Sequence, residues 1–173
     1  MIVKVKLFNG GQMPKIDPKG DNYDLFTAEE IELKAPQAHA RHQINGEKVR
    51  DVTFDDKLIP LGIAMKLPKG FKCNVYPRSS TFKNTRTLLV NSVGQIDGCY
   101  CGDTDMWKYW VLATDNKTIQ AGTKICQFEI VLSQRANFWQ KLRWLFWNGK
   151  VKFVQVDSLD KSDRGGFGST GNN

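Results

Sequence analysis

The sequence predicts an all-β fold, a sandwich or barrel built from many short strands. Three observations predict it: apolar residues recur with a period of two, turn residues break the chain at short intervals, and helical spacing is confined to one segment. At the start, Val3, Val5 and Leu7 alternate with Lys4 and Lys6. Ile31 and Leu33 then alternate with Glu32 and Lys34. Shorter apolar runs over 58–67, 88–93 and 150–156 add further strands. A strand over 119–130 carries Gln127, and its apolar face continues through Cys126, Phe128, Ile130 and Leu132. Between these runs stand Asn9-Gly10-Gly11, Pro68-Lys69-Gly70, Asp97-Gly98 and Ala121-Gly122, each with turn chemistry. The chain shows no internal repeat.

The one helical segment is 138–147. Asn137 is suited to cap it, and Gly149 follows its end. Phe138, Leu142, Leu145 and Phe146 share a face, while Trp139, Trp144 and Trp147 spread apolar surface around the rest. The segment is expected to pack on the sandwich or on a neighbouring subunit. A protein-partner surface or a membrane-surface helix is the sharper alternative.

At 173 residues, the chain is long enough for a single domain with a real core. Its net charge of +7 suits an anionic partner: a nucleotide, a nucleic acid or an acidic surface. Met1–Phe8 alternates rather than forming the apolar run of a signal peptide, and no stretch reaches membrane-spanning length. Cys73, Cys99, Cys101 and Cys126 form no CxxC pair or zinc spacing and are expected to be reduced thiols in a cytoplasmic compartment. His39 and His42 lie in a polar, loop-like stretch with no acid cluster nearby, so they read as surface residues and not as metal ligands.

Four segments carry chemistry. Arg164-Gly165-Gly166-Phe167-Gly168-Ser169-Thr170-Gly171 combines a guanidinium, a ring and two hydroxyls on a glycine-rich backbone. Arginine forks onto phosphate, the hydroxyls donate to phosphate oxygens, and the ring can stack on a base. The segment 163–173 therefore reads as a flexible lid over a nucleotide, joined to a single domain over 1–162. Tyr76-Pro77-Arg78-Ser79-Ser80 ends a strand with a cation and two hydroxyls. Val90–Tyr100 reads as a β-hairpin with the Asp97 carboxylate and the Tyr100 ring at its tip. Ile119–Ile130 contributes Gln127.

With Gly20-Asp21-Asn22-Tyr23-Asp24-Leu25 placed first, these segments resemble the five ordered motifs of the trimeric dUTP diphosphatases (dUTPases). The others are Pro77-Arg78-Ser79-Ser80, Gly94-Gln95-Ile96-Asp97-Gly98-Cys99-Tyr100, Ala121-Gly122-Thr123-Lys124-Ile125-Cys126-Gln127 and the 164–171 tail. The resemblance spans nearly the whole chain apart from the stretches around 37–52 and 134–150. It implies a β-clip, a distorted jelly-roll-like barrel, with one short inserted helix around 138–147. The sequence departs from the family pattern in having Asp21-Asn22 where Ala-Gly is usual. It also has only Gly165 and Gly166 between Arg164 and Phe167.

The resemblance also implies a reaction: dUTP and water give dUMP and pyrophosphate. In that reading Asp97 orients and polarises the water that attacks the α-phosphorus, and Gln127 sits near it. Tyr100 lies under the sugar and leaves no room for a 2′-hydroxyl. Gly94 and Ile96 on the hairpin backbone, with Asn91 at its entrance, read the uracil edge. Arg78, Ser79 and Ser80 bind phosphates. Arg164, Gly168, Ser169 and Thr170 close over the phosphate chain while Phe167 stacks on uracil. Mg2+ rides on the triphosphate and its waters, with Asp24 acting through that water shell. Each site is shared by three subunits of a homotrimer, so the tail closes on a neighbour's pocket. A related dCTP deaminase is one rival reading, and a binding or regulatory protein that uses the 138–147 insertion is another. Nucleic-acid binding is not expected, since no ordered basic motif accompanies the charge. A phage or viral origin would put the protein in the host cytoplasm.

Overall fold

A computed structural model describes residues 1–147 and 149–166. The first part of the chain forms β1 (Ile2–Leu7), β2 (Lys15–Ile16), β3 (Tyr23–Phe26), β4 (Ile31–Leu33), β5 (Gln37–Ile44) and β6 (Glu47–Thr53). It continues with β7 (Asp56–Pro60), β8 (Ile63–Lys66), β9 (Phe71–Pro77), α1 (Thr81–Thr85), β10 (Thr87–Leu89) and β11 (Gly94–Ile96). The remainder forms β12 (Lys108–Ala113), β13 (Lys117–Ile119), β14 (Lys124–Leu132), α2 (Phe138–Leu145) and β15 (Lys152–Gln155). The all-β expectation holds, but the strands do not close into a barrel. Among the described residues they form one five-stranded sheet, β11-β9-β14-β3-β2, two three-stranded sheets and two pairs.

The period-two pattern decides which side chains form the core. On β1, Val3 and Val5 are fully buried while Ile2 and Lys4 are exposed. On β14, Cys126 and Phe128 are fully buried and Ile130 nearly so. Phe128 touches three other rings: Tyr23 at 5.4 Å, Trp107 at 5.5 Å and Phe153 at 6.2 Å between centroids. Phe128→Ala would empty the middle of this cluster, and we expect it to cost about 3–5 kcal/mol of unfolding free energy. Urea denaturation would measure this as a large fall in midpoint at an unchanged m-value.

The structure corrects four expectations. The predicted run 58–67 is two strands that belong to different sheets. Gly62, at φ 65, lies so close to Gly11 that a Cβ there would stand 2.5 Å from the Gly11 Cα. Such an approach requires glycine and breaks the run. The loop-like stretch around 37–52 is instead a hairpin, β5 paired with β6, exposed along most of its length. Its turn is Asn45-Gly46, both with positive φ (52° and 85°), as a tight hairpin requires. His39 and His42 are therefore strand residues, exposed as expected, with His42 3.6 Å from Asp51 and His39 bonded to Thr53.

Val90–Tyr100 is not a hairpin. β10 pairs with β12 and β11 pairs with β9, so the segment crosses from one sheet to another through the turn at Asn91–Val93. Finally, α2 forms behind the predicted cap. The Asn137 side chain accepts the Gln140 N–H while the Gln140 side chain accepts the Asn137 N–H. Its packed side, however, is not the expected one. Trp144 meets Phe71 at 5.4 Å and Trp147 at 4.9 Å, whereas Phe138, Leu145 and Phe146 are each more than 65% exposed. A helix of this length covers little of the sheet, and the indoles fill that contact.

Candidate active site

The five-stranded sheet carries four of the sequence motifs on neighbouring strands. Asp24 is on β3, Gln127 on β14, Pro77 at the end of β9, and Gly94–Ile96 form β11. Register aligns the first three, because Gln127 pairs with Asp24 on one side and Tyr76 on the other.

At this end of the sheet Asp24 is 4% exposed and holds two cations. Arg78 Nε lies 2.7 Å from Oδ1 and Lys124 Nζ lies 2.9 Å from Oδ2. A buried carboxylate requires such compensation. Gln127 donates from Nε2 to the Pro77 carbonyl at 3.3 Å, which ties it to the same turn. Ser79 and Ser80 continue that turn into α1. Thr81 fixes the turn, since its hydroxyl oxygen accepts the Arg78 N–H at 2.8 Å and its hydroxyl donates to the Ile125 carbonyl. This end is therefore a group of two half-exposed cations and two hydroxyls, suited to phosphate oxygens. Lys124 carries no role in the sequence reading; its place next to Asp24 follows from a shift in register between Lys124 and Cys126.

Asp97 belongs to a second group at the other end. Ile96 pairs with Cys73, so Asp97 stands level with the start of β9, about 15 Å along that strand from Tyr76 and Pro77 at ~3.3 Å per residue. Its partner is Arg164, whose Nη1 lies 2.9 Å from Oδ2. The side chains are 51% and 44% exposed, so the pair is worth about 0–1 kcal/mol. The hydrogen bond that Arg164 donates to Asp97 raises the Arg164 pKa above its already high ordinary value. Tyr100 lies nearby and donates to the Met106 carbonyl at 3.0 Å. Burial, aided by Asp105 and Asp163, raises its phenol pKa, so it remains a donor at neutral pH. Through Gly166, the C-terminal segment runs over its own chain. Phe167, Gly168, Ser169 and Thr170 lie outside the described residues.

The crossover leaves a small pocket of ≈ 50 Å³ lined by Val75, Leu89, Asn91, Gly94, Ile96 and Trp110, among others. It thus brings together Asn91, Gly94 and Ile96, the residues expected at the base. A larger cleft of ≈ 470 Å³ lies elsewhere, between β4 and β7, and is lined by Glu29, Glu30, Glu32 and Asp56. Four carboxylates against the one cation in its lining, Lys57, would repel a triphosphate, so the larger cleft is the poorer candidate.

Cys73, Cys101 and Cys126 are buried, Cys99 is exposed, and none is paired in a disulfide. Burial pushes the Cys73 and Cys126 thiols up, which leaves both inert at neutral pH. Among the described residues no group of three Asp, Glu, His or Cys side chains could hold a metal. Asp24 has both oxygens committed to cations, so it does not fit as a direct ligand. An ion held by substrate oxygens and water is compatible with these residues. No helix among the described residues is long and apolar enough to cross a membrane.

An all-β chain with a phosphate-suited turn, a small pocket at the crossover and a carboxylate near a tyrosine is the architecture of a nucleotide-handling enzyme. No protein-family model matches the chain. It is 35% identical over 173 residues to the SPbeta prophage-derived deoxyuridine 5′-triphosphate nucleotidohydrolase YosS of Bacillus subtilis strain 168, covering 99% of each chain. It is 29% identical over 176 residues to the deoxyuridine 5′-triphosphate nucleotidohydrolase of Finegoldia magna, covering 98% of this chain and 99% of that one. In fold it is similar to the dUTPase of Streptococcus mutans, with a TM-score of 0.59 at 21% identity over 78% of this chain and 98% of that one. A variant of the dUTPase from phage phi11 of Staphylococcus aureus, described with a structural Mg(II) ion, gives a TM-score of 0.58 at 18% identity over 79% and 94%. The chain belongs to the dUTPase family.

Proposed function

We propose that the protein hydrolyses dUTP to dUMP and pyrophosphate, with Asp97 as the base for a water that attacks the α-phosphorus. The observation that carries this reading is the alignment of Asp24, Gln127 and the Pro77–Ser80 turn across three neighbouring strands. Asp97 is half-exposed and can accept a proton from an oriented water. Arg78, Ser79 and Ser80 would bind phosphate oxygens, and Gln127 would orient the α-phosphate. Asp24 would serve first by holding Arg78 and Lys124 in place. Its role toward magnesium would run only through water. When bound, magnesium would neutralise charge on the triphosphate.

Gly94, Ile96 and Asn91 would read uracil, with the Tyr100 ring under the deoxyribose. Arg164, Phe167, Gly168, Ser169 and Thr170 would close over the nucleotide. The ~15 Å between Asp97 and the Gln127 group along β9 is too long for both to serve one α-phosphate within a chain. That distance supports a homotrimer whose sites lie between subunits. The exposed Phe138, Trp139, Leu145 and Phe146 favour an additional contact role for the α2 insertion, either to another subunit or to a protein partner.

Pyrophosphate release tests the reaction. With Mg2+, release is expected from dUTP and not from dCTP, dTTP or UTP, and EDTA should stop it. Absence of release from dUTP would sink the reading. Conversion of dCTP to a uracil nucleotide would turn it toward the deaminase.

A further inference from the structure

The α2 insertion turns its apolar side away from the protein. Three contacts fix which side faces in. Trp144 meets Phe71 at 5.4 Å, the Ser133 N–H donates to the Gly70 carbonyl at 2.8 Å, and Gln140 lies against Gly70. A Cβ on Gly70 would stand 2.6 Å from the Gln140 Cδ, so that side of the helix is closed. At about 100° per residue, Leu145, Phe138, Leu142, Phe146 and Trp139 fall within an arc of about 120° on the opposite side. All but Leu142 are 68% exposed or more. A helix of a globular protein ordinarily turns such an arc to the core; here it meets solvent.

Charge is arranged around the arc. Lys141 stands about 40° outside one edge and Arg143 about 40° outside the other. Both are exposed, as are Arg135, Lys150 and Lys152 on either side of the helix. From Ile130 to Val156 the chain has five Lys or Arg and no Asp or Glu. An apolar arc rimmed by cations is the form of a helix that lies in the headgroup region of a bilayer. Lys and Arg stems cover apolar surface there while their charges reach lipid phosphates. Other occupants fit less well. A second copy of this chain carries +7 and would set cation against cation. Protein interfaces are depleted in lysine, which this rim contains.

We propose that α2 docks the protein on an anionic lipid surface. Phe138, Trp139, Leu145 and Phe146 enter the headgroup–acyl boundary, and Lys141 and Arg143 meet lipid phosphates. With 8 residues α2 is too short to span a bilayer, so the contact is peripheral. The inference goes beyond dUTP hydrolysis and does not depend on it.

Sedimentation with sucrose-loaded vesicles tests it on the full chain. One set of vesicles holds equal phosphatidylglycerol and phosphatidylcholine, the other phosphatidylcholine alone. The chain is expected to bind the anionic set about ten-fold more tightly or better, with its tryptophan emission shifted to the blue. Trp139→Gln with Phe146→Gln keeps every charge and removes only exposed rings; it should weaken binding by about ten-fold or more. Lys141→Gln with Arg143→Gln keeps the rings and should weaken it roughly 25-fold, at about five-fold for each cation near an anionic surface. Melting temperature and dUTP turnover should be unchanged in both pairs of substitutions, which touch neither the core nor the candidate site.

Failure to bind anionic vesicles would overturn the proposal and leave an acidic protein as the occupant. Equal binding to both sets would overturn it as well. Undiminished binding after Trp139→Gln with Phe146→Gln would mean attraction by overall charge and not by this face. Loss of the oligomer in that chain, read by size-exclusion chromatography, would make α2 a subunit contact instead. A wild type that binds vesicles but does not hydrolyse dUTP would sink the functional reading alone.

Discussion

Asp97→Asn is expected to bind dUTP and to lose turnover by about 10²–10⁴-fold, the usual contribution of a positioned general base. Asparagine keeps the shape of the side chain and can still meet a sugar hydroxyl. It cannot take a proton from water. It also gives up the charge that Arg164 faces at 2.9 Å, so the tail's arginine becomes free to meet phosphate. Binding should therefore survive or tighten slightly while kcat collapses. Isothermal titration with dUTP alongside single-turnover assays would separate the two effects. A variant that turned over at the wild-type rate would remove Asp97 from the mechanism.

Ending the chain at Ser162 is expected to leave a folded protein whose turnover is reduced by 10²-fold or more, an effect on the order of what misplacement of reacting groups costs. Folding should survive because Asp103 holds the chain before the cut: it accepts the Leu159 N–H at 2.7 Å, and Leu159 is fully buried. The loss should fall mainly on kcat, since the removed segment carries Arg164 and the remainder of the fifth motif. Circular dichroism and the melting temperature would check the fold, and dUTP kinetics the loss. Unaltered turnover would show that the segment is not a lid.

Much of the fold was legible because burial on a half-exposed strand forces alternation. Val3 and Val5, Ile31 and Leu33, and Cys126 and Phe128 all emerged on the core side for that reason. The Asn137 cap was legible because it is a local bond between residues three apart. Pairing was harder to see. Val90–Tyr100 has the composition of a hairpin, yet its two strands join different sheets, and that choice depends on β9 and β12 far away in sequence. The hairpin over 37–53 was signalled by Asn45-Gly46, but its two strands lack apolar alternation since neither face is buried.

At the candidate site, the residue types were legible and their grouping was not. Asp24, Arg78 and Gln127 lie together, whereas Asp97 stands at the other end of the same sheet. Asp105 went unnoticed because a carboxylate that accepts main-chain N–H groups, here those of Gly102, Arg164 and Gly165, leaves no pattern in sequence.

The two ties on Arg164 differ in kind. Its side chain meets Asp97 across an exposed ion pair, while its backbone N–H is held by a carboxylate buried at 2% exposure. Dissolved ions screen the first strongly and the second weakly, with a Debye length near 8 Å at physiological ionic strength. Raising ionic strength should therefore release the guanidinium while the chain stays moored. The reach of this arginine is then governed by the electrolyte around it, within a radius fixed by one buried aspartate.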